Sequence, residues 1–452
     1  MNTTKIRRML AGVLAAGTLA AAMPVLDFSA ASQTMAGDAN LDGAVTAQDI
    51  VTLQSYLFGK TAFDETMFAN CDLTADGKVN AFDLGMLKKK MRVNPIAEPV
   101  TIHLADTGIT VEGDADGTVQ VTDQTVRITA SGVYYIDGTL TDGQIYVETA
   151  AEDIADVELV LTDVTMTNST KSAIYTAAAS GSEKTKITLV GENILTDTAA
   201  AAYAESGVIY AANKLTITND STGTLQVNSN MNTGIYADKK MNLNGGTIIV
   251  NTADGADTAD ADAIVGDNNI EIEGAVIDID SSADGLKSKD KGVYLLDGSV
   301  TVKAGNDAVQ ACTEIAVSGG TLTAGGDRGF RLDAAGLLNI TGGQVLATAT
   351  DYQVTGAGVA VSLAGSTQTI MMLDLAAEWT KANAIAVGEN IYQPNKKYSY
   401  VLVSDAALDA AGTYAVSVGG FAMTQGAEAS ASFQNTGTVT QYTNVAAMPS
   451  VS

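Results

Sequence analysis

The sequence predicts a mainly β protein: a right-handed parallel β-helix (solenoid) with a C-terminal β cap, preceded by a small α-helical domain made from two copies of an acidic loop. Three observations predict it. β-Branched strand units with Gly corners recur at a spacing near 22 residues. The 44 glycines accompany an aromatic content of only 5%, which suits tightly stacked turns. A twelve-residue acidic pattern begins at Asp38 and again at Asp72.

The 452 residues leave room for more than one domain. Acidic residues number 52 against 25 Lys plus Arg, a formal charge of −27. This excludes ordinary nucleic-acid binding and docking on anionic lipid, both of which need basic surface. With one His, His103, the Ser–His–Asp and multi-His zinc schemes lack their central residue. Cys71 and Cys312 make no disulfide framework.

Residues 1–31 read as an export signal. Lys5, Arg7 and Arg8 precede the apolar run Met9 to Met23, and small residues near Ser29-Ala30-Ala31 offer a cleavage site. The run is too short for a membrane span, so the expectation is a secreted, extracellular protein with no membrane insertion.

Residues 36–92 hold the two acidic loops, DANLDGAVTAQD and DLTADGKVNAFD. Each fits a calcium loop with oxygen ligands at positions 1, 3, 5, 9 and 12 and Gly at 6. The first set is Asp38, Asn40, Asp42, Thr46 and Asp49, with Gly43 at the turn; the second is Asp72, Thr74, Asp76, Asn80 and Asp83, with Gly77. Ala44 and Lys78 would each supply a backbone carbonyl. Calcium is a hard cation that takes six to eight oxygens, which accounts for the alternating pattern. Each loop runs into an apolar helical stretch: Ile50, Leu53, Leu57, then Leu84, Leu87, Met91. Position 12 is Asp rather than Glu, and no long helix precedes the first loop.

This pair resembles a type I dockerin, the module that joins cellulosomal proteins to a scaffold's cohesin. The resemblance implies two bound Ca2+ and recognition of cohesin through positions 10 and 11 of each repeat plus the following helix: Ala47 and Gln48, Ala81 and Phe82, with Lys88 and Lys89. Phe82 has the alternative of packing in the core, and Lys88 to Lys90 that of a merely solvated face. Thr74 departs from the usual Asn or Asp at position 3, which implies weaker binding at the second loop.

Residues 93–100 contain two of the five prolines and no periodic pattern, and read as a linker. The solenoid is expected over 101–350. Its units are MNLNGGTIIV (241), IEIEGAVIDI (270), VYLLDGSVTV (293), IAVSGGTLTA (315) and LNITGGQVLA (338). A propeller blade needs about twice this period; a stacked β-sandwich is the alternative. Residues 351–452 are expected to cap the open end with further β strands.

Stacking turns spacing into columns. Asp262, Asp284 and Asp307 would form a ladder about 4.8 Å per step, repulsive when bare and a calcium site when bridged. Asp254, Asp257, Asp260, Asp278 and Asp280 lie near enough to add oxygens. Alternatively these aspartates only terminate strands at turns. Tyr175, Tyr210 and Tyr236 form a second column, either an outward strip for sugar rings or an inward core ladder.

The segments SGVYYIDGTLTDGQIYV (131–147), VELVLTDVTMTNSTKSAIY (157–175), DGLKS (284–288), the GGT turns and KKYSYVLVSDAALDAAGTYAVSVGG (396–420) resemble the exported carbohydrate-binding β-helix proteins, similar in fold to calcium-dependent polysaccharide lyases. The resemblance implies non-catalytic binding of plant cell-wall polysaccharide, cellulose or pectic chains, aided by calcium at Asp262, Asp284 and Asp307. Asp327-Arg328-Gly329 breaks the pattern and puts a fourth site in doubt. The enzymatic alternative is a pectate-type lyase acting by β-elimination, with Lys287 as base and Arg331 as second candidate; Lys287 can equally be a surface charge paired with Asp284 or Asp290. A structural surface protein is a third reading.

Overall fold

The computed structural model describes residues 35–43, 45–92, 99–203, 207–252, 261–333, 336–355, 368–409, 412–425 and 438–443. The leader, Ala44, most of the linker and Asp254, Asp257 and Asp260 lie outside them, as do the side chains of Ala47 and Lys89. The chain divides into two compact units, Met1–Pro95 and Ile96–Ser452.

Among its described residues the first unit holds three helices: α1 (Ala47–Leu57), α2 (Glu65–Cys71) and α3 (Ala81–Arg92). Loop chemistry starts α1. Thr46 caps it by accepting from Gln48 N, and Asp49 reaches back to the Thr46 backbone, a reciprocal capping box. The same aspartate is position 12 of the acidic loop, so the loop's closure and the helix start are one constraint. Leu53 and Leu87, 34 residues apart, are fully buried with Ala39 and Cys71.

The second unit is a β-solenoid of about eight turns. Parallel pairing runs from Val100–Leu104 to Gln344–Thr355. Inward residues stack on like residues, as in the ladder Ile145, Ile174, Ile209, Ile235, Ile264, Leu286, Val309, Phe330 and Val354. None of these exceeds 1% exposure. Each such burial contributes roughly 1.5–3 kcal/mol. The spacing near 22 holds only from Ile264 onward. Earlier ladder steps, such as Ile174 to Ile209, are longer because the corners between strands carry extra residues.

One corner explains the glycine units. Gly246, Gly274, Gly298, Gly320 and Gly343 all have φ between 70° and 104°, a region that costs any side chain strain. The preceding rung also crowds them: a Cβ on Gly298 would lie 2.4 Å from Ala275 O. In the Ile270–Ser281 strand the left-handed residue is Gly274, where the register shifts on either side of Glu273.

The last rung, an exposed edge otherwise, is covered. Gln344–Thr355 pairs antiparallel with Tyr398–Asp409, which pairs with Gln368–Trp379, and that strand with Thr438–Thr443. Leu346, Met371, Leu373, Tyr398 and Val403 fill a separate cap core. A loop of the cap reaches back along the solenoid: Asn395 Nδ2 donates to Val302 O at 2.7 Å, and Lys396 Nζ donates to Ala304 O. Among the described residues no helix is long and apolar enough to cross a membrane.

Candidate functional site

The two acidic loops have the same backbone course. Positions 4 and 6 are left-handed in both: Leu41 and Gly43, Ala75 and Gly77. Asp38 accepts from Asp42 N and Gly43 N, and Asp72 from Asp76 N and Gly77 N, at 2.9–3.2 Å. Asp49 accepts from Ala39, Asn40 and Thr46 N, and Asp83 from Thr74 and Asn80 N. Burial pushes the Asp83 carboxyl up, but these N–H donors outweigh it and hold it below the usual carboxylate range. Burial first, then the charges of Asp49, Asp83 and Asp38, push the Cys71 thiol up to about 12. Cys71 is therefore a protonated core residue between the loops.

The donors fit calcium by their chemistry: all are oxygens, in alternating positions, and no ion pair among the described residues neutralises Asp38, Asp49, Asp72 or Asp83. As they stand, no three carboxylate, imidazole or thiol groups among the described residues converge on one point. The residues that would complete a calcium set are the amide and hydroxyl donors Asn40, Thr46, Thr74 and Asn80 and the backbone carbonyl of Lys78.

Phe82 is 79% exposed, which excludes the core alternative. Met86, one turn further along α3, is 45% exposed on the same side. Gln48, Ala81 and Lys88 are exposed too.

On the solenoid, two residue sets that the sequence separates share one column. Outward positions of successive rungs are Arg127, Tyr146, Tyr175, Tyr210, Tyr236, Val265, Lys287, Gln310 and Arg331. The tyrosines point away from the isoleucine core. They do not form an open strip, however, because each ring face is stacked on the next: centroids are 5.3 Å apart from Tyr146 to Tyr175 and from Tyr175 to Tyr210, and 5.4 Å from Tyr210 to Tyr236. The ladder offers ring edges to a ligand instead. Tyr210 donates to Asp238 and Tyr236 to Asp267. Burial and these carboxylates push both phenols up, so they stay protonated. Lys289 Nζ closes the column 4.6 Å from the Tyr236 ring centroid.

Tyr146, which sequence spacing missed, extends the ladder. It lies 29 residues before Tyr175 and follows Ile145, the same Ile-Tyr step that marks Tyr175, Tyr210 and Tyr236, so that step was the signal that could have found it. Next to it, Arg127 lines a cleft of about 560 Å³ with Gln120, Gln124, Thr125 and Lys171.

The aspartate column forms, but its charge is already met. Asp284 N donates to Asp262 Oδ1 and Asp307 N to Asp284 Oδ1, both at 3.0 Å. Lys287 Nζ bridges Asp262 Oδ2 at 2.9 Å and Asp284 Oδ2 at 2.8 Å. Arg328 Nε and Arg331 Nη1 hold Asp307. Three basic side chains thus stand where bridging cations were expected. Arg328 occupies the fourth rung opposite Asp307, after a register shift past Gly326, and turns Asp327 out of the column to meet Thr350. Asp278 and Asp280 face out of a different sheet, where Asp280 pairs with Lys303.

Lys287 is a poor base in this setting. Burial pulls its pKa down, but Asp262 and Asp284 outweigh burial and raise it. A general base at neutral pH needs the opposite.

A dockerin type I domain matches residues 36–92, and the description carbohydrate-binding domain-containing protein matches residues 122–429. A protein of that description from Acetivibrio thermocellus is 34% identical over 145 residues, covering 30% of this chain and 48% of the relative. The chain therefore spans about half the length of that curated relative. A solved structure of the polysaccharide lyase-like protein from C. thermocellum, gadolinium derivative, aligns at 22% identity and TM-score 0.44, over 59% of this chain and 98% of that one. With a match over well more than half its length and the calcium-loop pair ahead of it, this chain belongs to the carbohydrate-binding domain-containing proteins and carries a type I dockerin.

Proposed function

We propose that the protein is an exported cellulosomal component that attaches to a scaffold cohesin through its dockerin and binds plant cell-wall polysaccharide along its solenoid without cleaving it. One observation carries this reading: the in-register outward column Arg127, Tyr146, Tyr175 and Tyr210, whose members are exposed or half-buried and whose step approximates one sugar residue. Tyrosine ring edges supply apolar contact along it, and the Arg127 cleft, with Gln120, Gln124 and Lys171, supplies donors. The exposed Phe82 and Met86 on α3 suit an apolar contact with cohesin.

Two Ca2+ belong to the dockerin loops, where they would fix the turn that starts each helix. On the solenoid, a calcium ion at Asp262, Asp284 and Asp307 would have to displace Lys287, Arg328 and Arg331. We therefore read polysaccharide binding there as independent of the metal.

The test is depletion of the full chain from solution by cellulose and by polygalacturonate, with calcium present, for the natural protein and for Tyr175→Ala with Tyr210→Ala. Depletion by either polymer, weakened in the variant, supports the reading. A steady rise of ultraviolet absorbance from unsaturated product in the polygalacturonate sample overturns the non-catalytic assignment.

A further inference from the structure

A second trough lies on a different sheet of the solenoid. Strands Glu192–Asp197, Thr224–Ser229 and Thr247–Thr252 place Thr196, Asn228 and Asn251 in one outward column. With Thr198, Asn230 and Thr252 they line an open space of about 470 Å³. The side chains are ordered before any ligand arrives. Asn251 Nδ2 donates to Asn228 Oδ1 at 3.0 Å, Gln226 Nε2 to the same oxygen at 3.1 Å, and Asn228 Nδ2 to Thr196 Oγ1 at 3.2 Å. This chain runs one way, so a carbonyl oxygen is presented at Asn251 and a hydroxyl proton at Thr196.

Among the described residues the lining carries one charge, Asp197, which is 3% exposed and turned inward to Ser229, Asn232 and the N–H groups of Ala199 and Met231. In a chain of net charge −27, such a neutral surface stands apart. The adjoining outward column puts Ile194 and Ile249 on either side of Gln226, all half-buried. Hydroxyls and carboxamides at every rung beside short apolar patches match a pyranose chain, whose edge is hydroxyl and whose face is C–H. Among the described residues that line it there is no Lys or Arg to meet a uronate.

We propose that this trough is a binding site for a neutral, hydroxyl-rich glycan chain running across the rungs, separate from the tyrosine column. The proposal rests on the polysaccharide-binding reading of the solenoid and adds the ligand class and the place.

The test is retardation of the full chain, with calcium, in native gels containing hydroxyethylcellulose or polygalacturonate. Hydroxyethylcellulose is expected to retard the natural protein, and Asn228→Ala with Asn251→Ala to weaken its apparent affinity about fivefold or more. Thr196→Val keeps the side-chain shape while removing the hydroxyl, so it reports on binding even where the double variant misfolds; it is expected to weaken the same polymer. If the trough variants leave retardation unchanged while Tyr175→Ala with Tyr210→Ala abolishes it, the trough is inert and the polysaccharide-binding reading stands. If polygalacturonate alone retards the protein, the neutral class is wrong. If neither polymer does, and cellulose and pectate also fail to deplete it, both readings fall.

Discussion

Replacing Lys287 by methionine would leave two carboxylates facing each other with no counter-ion. Asp262 and Asp284 have side chains only 7% and 4% exposed, and both touch the Lys287 ammonium within 2.9 Å. Methionine keeps the aliphatic stem, so the loss is mainly of charge. Removing one partner of a buried pair costs about 3–5 kcal/mol. At the lower end of the range for large domains, about 2 °C per kcal/mol, the solenoid transition should fall by about 6–10 °C. The assay is thermal melting followed by circular dichroism at neutral pH, with and without millimolar calcium. Calcium should restore part of the loss in the variant, whose vacated corner then offers two free carboxylates, and leave the natural solenoid transition unmoved. The deficit should also shrink on acidification. Burial and Asp284 hold the Asp262 carboxyl above its ordinary value, so on acidification it takes up a proton in the folded state before it would in the unfolded chain and no longer needs a counter-ion. In the natural protein the Lys287 contribution is complete below its ordinary value of 10.5 and is lost only as pH rises through its raised folded value. A variant melting within a degree of the natural protein at neutral pH would refute the clamp.

Phe82→Ala should change dockerin stability by no more than about 0.5 kcal/mol, because the ring is exposed, yet weaken cohesin binding about tenfold or more by calorimetry; equal affinities would remove Phe82 from the interface. Asp49→Asn should weaken calcium binding at the first loop and lower helix content, since Asp49 accepts from three backbone N–H groups and closes the α1 capping box; calcium titration with circular dichroism reads both. Gly325→Ala would set a Cβ 2.1 Å from Asn395 Oδ1 and push the cap loop off the solenoid at a cost of about 1–3 kcal/mol. Hydrogen exchange should then rise around Asn395 while the Ile174 and Ile209 rungs keep their protection.

Much of this was legible in the chain. Asp38 to Asp49 and Asp72 to Asp83 encode their loops locally, since ligand oxygens, turn glycine and helix cap fall within twelve residues. The inward alternation of Ile277, Ile279, Val300 and Val302 is likewise local, because side chains on a strand alternate whatever the fold. The Phe82 side chain was ambiguous by pattern alone; its exposure follows from which side of α3 meets Leu53 and Cys71.

The sequence by itself determined the pair of acidic loops with the helices that follow them, the rung pattern with its glycine corners, the aspartate column and all of the tyrosine column but Tyr146. Only the tertiary structure decided what faces those columns. Tyr146 and Tyr175 meet across 29 residues, and Arg328 reaches Asp307 from the following rung. The physical reason is that lateral contacts in a solenoid join residues a whole coil apart, and coil length varies with the corners. The Lys287 contact with Asp284 is local, three residues apart, and was open to the sequence; its second contact, with Asp262, and those of Arg328 and Arg331 with Asp307 cross from one rung to the next, which spacing alone does not reveal.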